Sequence, residues 1–160
     1  MEKTNVMRLL DVAGIAYKSH EYDPETVDGL SVAKALGEDS ECVFKTLVCE
    51  DPKHEHFVFC IPVTAELDLK KAAKAVGAKS IDLIPQKTLL PLTGYVHGGC
   101  SPIGLKKPFP IHIDETAQLF DTVFVSGGRR GHQVELSPFD LADYVKAMFV
   151  DLTKESSSGH

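Results

Sequence analysis

Cys42-Val43-Phe44-Lys45-Thr46-Leu47-Val48-Cys49-Glu50, then Asp51-Pro52-Lys53-His54-Glu55, then His56-Phe57-Val58-Phe59-Cys60-Ile61: this stretch sets the architecture. Two runs rich in β-branched and aromatic residues flank a segment of turn composition, so they read as a β-hairpin. Alternate residues of a strand share a face. Lys45 therefore lies with Val43, Leu47 and Cys49, and the other face carries Phe44, Thr46 and Val48. Both faces read as buried, yet a lysine is almost never fully buried without a partner. Two readings follow. Lys45 is an edge-strand side chain reaching out to water, or it is a pocket ammonium that binds an anion or polarises a carbonyl.

Working outward, Thr4 caps a helix with Val6, Leu9, Leu10 and Ala13 on one face and Gly14 at its end. Residues 15–22 read as a strand and 23–30 as a loop. A short helix over 31–36 stops at Gly37. Beyond the hairpin, a helix over 68–76 ends at Gly77, a strand covers 80–84, and a helical piece from Pro85 is interrupted by Pro91. Strands follow at 111–114, 122–126 and 132–136. Ser137-Pro138-Phe139-Asp140 then opens a helix with a cap, a proline at the first position and an acid in the first turn. Strands come in pairs between short helices, without regular strand–helix alternation. That pattern predicts a single α+β domain with a mixed, curved sheet. The domain covers residues 1–153, and the small, polar segment 154–160 reads as a disordered tail.

Composition narrows the function classes. The chain has 160 residues, 43% hydrophobic and 25% charged, as expected of one globular domain. Its net charge of −6 excludes a general nucleic-acid coat protein, so any contact with phosphates needs a local basic patch. No secretion signal and no membrane-spanning run of about 18 apolar residues stand out. The four cysteines form no C-x-x-C pair, which argues against a zinc ribbon and suits reduced thiols in the cytoplasm. His54-x-His56 lacks companions of metal-ligand spacing, so no metal is expected. There is no G-x-S-x-G elbow.

Two glycine loops carry the remaining chemistry. In Gly98-Gly99-Cys100-Ser101-Pro102-Ile103-Gly104 the glycines let backbone N–H groups approach a ligand, Ser101 adds a hydroxyl and Pro102 stiffens the loop. An ordinary turn has the same composition. Cys100 is a nucleophile without a base placed near it. Ser126-Gly127-Gly128-Arg129-Arg130-Gly131 sets two arginines on a turn, suited either to phosphate contacts or to a solvated hairpin tip. Lys70, Lys71, Lys74, Lys106 and Lys107 would extend a basic surface, or are solvated.

Phe44-Lys45-Thr46-Leu47-Val48, Leu67-Asp68-Leu69-Lys70-Lys71-Ala72-Ala73-Lys74, Thr93-Gly94-Tyr95 with the loop from Gly98 to Gly104, and Val125-Ser126-Gly127-Gly128-Arg129-Arg130-Gly131 together resemble the YbaK/EbsC family, in order and spacing, over residues 6–152. That family belongs to the prolyl-tRNA synthetase-associated editing domains. The resemblance implies a mixed sheet closed into a barrel-like core surrounded by helices. It implies trans-editing of Cys-tRNA(Pro) by a deacylase of the hydrolase or lyase class that needs no cofactor. Aminoacyl-tRNA is then the substrate, prolyl-tRNA synthetase the partner, and neither DNA nor a membrane is involved. The essential lysine would be Lys45, with Tyr22, Thr46, Gly98 and Ser126 in the pocket and Pro102 anchoring the loop. Gly99, Ser101 and Arg130 join the substrate-binding set. The mechanism implied is attack of the substrate's own thiolate on its ester, releasing tRNA and a thiolactone. An internal nucleophile of this kind has an effective concentration of ~10⁵ M or more. Asp28 stands where relatives carry an aromatic residue, and His132 where they carry an apolar one. An Ala-tRNA(Pro) deacylase using water, and a non-catalytic module binding tRNA or an aminoacyl-adenylate, are the alternative readings.

Overall fold

The computed structural model describes residues 2–155. Thr4 accepts a hydrogen bond from Met7 N and starts α1 (Asn5–Ala13), which ends at Gly14 with φ of 72°. Val6, Met7 and Leu10 form its buried stripe. After β1 (Lys18–Glu21), α2 (Gly29–Leu36) begins two residues earlier than its serine suggests, because the Asp28 carboxylate accepts from both Ser31 N and Ser31 Oγ. The hairpin is present as β2 (Phe44–Glu50) and β3 (His56–Pro62), paired antiparallel with Lys45 opposite Ile61. Next come α3 (Leu69–Val76), β4 (Asp82–Leu83) and α4 (Leu89–Thr93). Pro91 does not break α4, since it sits in the first turn, where backbone N–H groups have no helical acceptor. The chain continues through β5 (Ile111–Asp114), β6 (Val123–Ser126), β7 (His132–Leu136), α5 (Pro138–Val145) and β8 (Met148–Val150). Ser137 caps α5, with Pro138 leading it. Among the described residues, no helix is long and apolar enough to cross a membrane.

The strands form two sheets rather than a closed barrel. One is β1-β7-β6, antiparallel throughout; the other is β4-β2-β3-β5-β8, in which β5 runs parallel to both β3 and β8. A parallel bridge between Val43 and Phe124 joins them. β3 reads as a continuous apolar run because both its faces are covered. Val58 and Cys60 enter the main core with Val6, Leu10, Ile113 and Val134, and Phe57, Phe59 and Ile61 pack with Ala72 and Ala73 of α3. A third cluster, Ala33, Cys42, Val43, Val63 and Phe124, seats α2 over the bridge between the sheets. In the smaller sheet, Glu135 accepts from Thr122 Oγ1 at 2.6 Å and lies 2.9 Å from His20 Nε2, and the Thr122 bond foremost holds its carboxyl below the usual range. Lys154 N donates to Glu66 O at 3.0 Å, and residues 156–160 of the expected tail lie outside the described residues.

β2 is where this arrangement leaves an opening. Its inner edge pairs with β3 along its whole length. Its outer edge meets β6 at the Val43 bridge and β4 at Cys49 and Glu50, with Ile84 N donating to Val48 O. Among the described residues, no strand pairs with the outer edge between these points. Val43 belongs to the cluster under α2 and Cys49 to the cluster under α3. Lys45, between them on the same face, falls in the gap and is half-buried.

Candidate active site

A cleft of about 330 Å³ opens along the free edge of β2. It wraps the strand, taking Phe44 and Thr46 from one face and Val43, Lys45 and Leu47 from the other. Val32 and Val63 give it an apolar side, and the segment entering α2 contributes Val27, Asp28 and Gly29. A Cβ on Gly29 would lie 2.7 Å from Val63 Cγ1, so glycine is what lets α2 close on β3's end.

The polar groups of the cleft divide by chemistry. Among the described residues, the Lys45 ammonium has no hydrogen bond or ion pair. Lys45 lines the cleft, where the pocket reading would have it. Ser126 Oγ accepts from Gly128 N at 3.1 Å, leaving its own O–H to donate. Tyr22 Oη accepts from Gln133 Nε2 at 3.5 Å, and so also keeps its O–H free. Thr46 Oγ1 lies 3.8 Å from Cys60 Sγ. Gln133 is 5% exposed, and its Oε1 is buried without a partner. A buried unpaired acceptor costs roughly 1–3 kcal/mol, which a donor from a bound molecule would recover.

The glycine loops support the cleft more than they line it. Gly98 does line it, at φ of +85°, where a Cβ would meet Val27 Cγ1 at 2.6 Å. A Cβ on Gly99 would press on the backbone of Arg129 and Arg130 at 3.1–3.3 Å, and Gly99 N donates to Val96 O. Ser101 is fully buried, and its Oγ accepts from Ile103 N at 3.2 Å, so its hydroxyl braces the loop. Pro102 is buried beside it. Arg130 Nε donates to His97 O at 2.8 Å and ties one glycine loop to the other. Gly99, Ser101, Pro102 and Arg130 are thus outside the lining, while Tyr22, Lys45, Thr46, Gly98 and Ser126 are in it.

Cys100 reaches the cleft wall but is 8% exposed, and burial pushes its thiol up to about 12. A thiol held there is almost wholly protonated at neutral pH and makes a poor nucleophile. His132, flagged as a departure, flanks the Gly127 turn, with its Nδ1 3.9 Å from Glu21 Oε1. Asp28 lines the cleft while its carboxylate caps α2. Sequence reasoning did not identify Gln133, His97, Val27 or Leu89 as lining residues. Gln133 is placed by the ladder, opposite Ser126 on β6 and His20 on β1, and no pattern within its own strand signals that.

Comparison with known proteins places this geometry. The model of the aminoacyl-tRNA editing domain matches residues 23–144. The chain is 41% identical over 154 residues to EbsC of Enterococcus faecalis, provisionally named a Cys-tRNA(Pro)/Cys-tRNA(Cys) deacylase, covering 95% of this chain and 94% of that protein. It is 27% identical over 110 residues to a proline–tRNA ligase of Brachyspira hyodysenteriae, covering 69% of this chain but only 19% of the ligase. A solved structure provisionally described as a trans-editing enzyme for prolyl-tRNA synthetase superposes with a TM-score of 0.85 at 25% identity, over 97% of this chain and all of its own. The chain belongs to the aminoacyl-tRNA editing domain family.

Proposed function

We propose that this protein is a trans-acting aminoacyl-tRNA deacylase that clears Cys-tRNA(Pro), with the thiol of the bound cysteine as nucleophile. The observation that carries the reading is an unpartnered ammonium, Lys45, in a cleft whose one cysteine among the described lining residues, Cys100, is held protonated. Such a site can orient an ester and stabilise charge, but it is poorly made to attack one. The substrate thiolate would form a bond to the ester carbonyl carbon. The bond from that carbon to the ribose oxygen breaks, and the ribose oxygen takes up the proton the thiol gave up. Water then opens the four-membered thiolactone to free cysteine.

Lys45 and the free O–H groups of Ser126 and Tyr22 are donors suited to the carbonyl oxygen as it becomes negative. Gln133 Oε1, lacking a partner, is an acceptor suited to the α-ammonium group. The 41% identity to EbsC and the likeness to segments of proline–tRNA ligases support tRNA(Pro) as the carrier and prolyl-tRNA synthetase, in the cytoplasm, as the partner. With a net charge of −6, the chain relies on few phosphate contacts of its own. The test is turnover of Cys-tRNA(Pro) by wild type and Cys100→Ser, with mass spectrometry of the protein. Cys100→Ser should retain the rate within about threefold, because its thiol is not the nucleophile. A cysteinyl adduct trapped on Cys100 would contradict the reading.

A further inference from the structure

A second cavity, of about 290 Å³, is lined by Lys106, Arg129, Gly104, Gly128 and the first turn of α1. Gly128 and Arg129 follow Ser126, a cleft residue, on one loop, and Gly128 N is bonded to Ser126 Oγ. Two residues of chain span at most about 7 Å, so the two sites share a wall. Among the described residues, no acidic side chain lines the cavity. Three lysines are paired with carboxylates, Lys3 with Asp11, Lys71 with Asp151 and Lys154 with Glu66, and none of these lines the cavity. Lys106 reaches only Pro91 O, at 3.4 Å, and the Arg129 guanidinium is exposed with no partner among the described residues.

The backbone shapes the rest of the lining. A Cβ on Gly128 would lie 2.9 Å from Val6 Cγ2, and one on Gly104 the same distance from Leu9 Cδ1 and Tyr95 Oη. The missing side chains let both loops close on α1 and Tyr95. The Tyr95 hydroxyl donates to Ile103 O, and burial pushes it up to about 12, so it adds no negative charge. Two uncompensated cations and a lining without carboxylates make an anion site, adjoining a cleft in which Lys45 is the one lysine or arginine among the described lining residues.

We propose that this cavity holds an internucleotide phosphate of the RNA strand whose aminoacyl end enters the cleft, an inference that rests on the deacylase reading above. Arg129, rather than Arg130, is then the phosphate contact, since Arg130 is engaged with His97. The test uses a fluorescent single-stranded oligoribonucleotide ending in CCA, read by anisotropy as salt is varied, together with turnover of Cys-tRNA(Pro). The exposed pair Arg129→Gln and Lys106→Gln, combined, should weaken RNA binding about tenfold at low salt, the scale of one hydrogen bond to a charged group. It should also flatten the salt dependence by about 0.7 in log–log slope per phosphate lost. KM for Cys-tRNA(Pro) should rise with kcat retained, and Arg129→Lys should keep the salt slope. The cysteinyl ester of adenosine, which has no internucleotide phosphate, should be cleaved equally by both proteins. Wild-type affinity and slope in the double variant would overturn the proposal, as would an equal loss on the adenosine ester. If wild type failed to cleave Cys-tRNA(Pro) while RNA binding still fell in the variant, the deacylase reading would fail and the phosphate site would stand.

Discussion

Lys45→Ala is expected to lower deacylation of Cys-tRNA(Pro) by at least ~10²-fold, the scale for losing one preorganised electrostatic stabiliser, while leaving the fold intact. The two halves of this expectation have one cause. Lys45 lies between the cluster under α2 and the cluster under α3, half-buried, and no described residue hydrogen-bonds or ion-pairs with its ammonium. Its removal strands no buried carboxylate and breaks no hydrogen bond, so the stability cost should stay below about 1 kcal/mol. Lys45 is, however, the one lysine or arginine among the described residues lining the cleft. Single-turnover kinetics beside a thermal melt separate the two effects. Activity within a few-fold of wild type would remove Lys45 from the chemistry; a collapsed melt would make it structural.

Ser-tRNA(Pro) should be cleaved at least ~10²-fold more slowly than Cys-tRNA(Pro), although the two side chains are nearly the same size. A pocket that separates substrates by shape alone gains only ~1–3 kcal/mol per methylene, and serine against cysteine offers less than that. The difference must come from ionisation. A few per cent of an ordinary thiol is thiolate at pH 7, whereas an alcohol is essentially un-ionised. The cysteine rate should therefore climb with pH until the substrate thiol is ionised. Cys100, held at about 12, stays out of that profile. Comparable serine and cysteine rates, or a flat profile with chemistry rate-limiting, would show that the thiol does no work.

What could be read in the sequence was local. Thr4 and Ser137 cap the helices they were expected to cap, because a cap is decided by a hydroxyl and the next three residues. The hairpin of β2 and β3 is a contiguous pattern for the same reason. β8 escaped because a three-residue strand carries too little alternation, and it is a strand only through its parallel pairing with β5. The start of α2 was misplaced because two capping residues, Asp28 and Ser31, stand three apart, and the carboxylate takes the cap.

The site divides along the same line. That Lys45 is anomalous follows from its neighbours, but that it faces a cleft depends on where β6 and β4 stop pairing with β2. Ser101 and Ser126 both border glycine loops, yet one is turned inward to Ile103 N and the other reaches the cleft. Arg129 and Arg130 are equivalent in the sequence, and only the contact with His97 O separates them. Gln133 needed the ladder to bring it beside Tyr22 and Ser126.

The most direct test compares wild-type rates on Cys-tRNA(Pro) and Ala-tRNA(Pro) under identical single-turnover conditions. Alanine fits wherever cysteine fits, and it lacks the sulfur. A cleft that only positions the ester and stabilises charge should cleave the cysteinyl ester at least ~10²-fold faster, since the alanyl ester must wait for water rather than an internal nucleophile. Equal rates on the two esters would contradict the account and make this cleft an alanine editor that activates water.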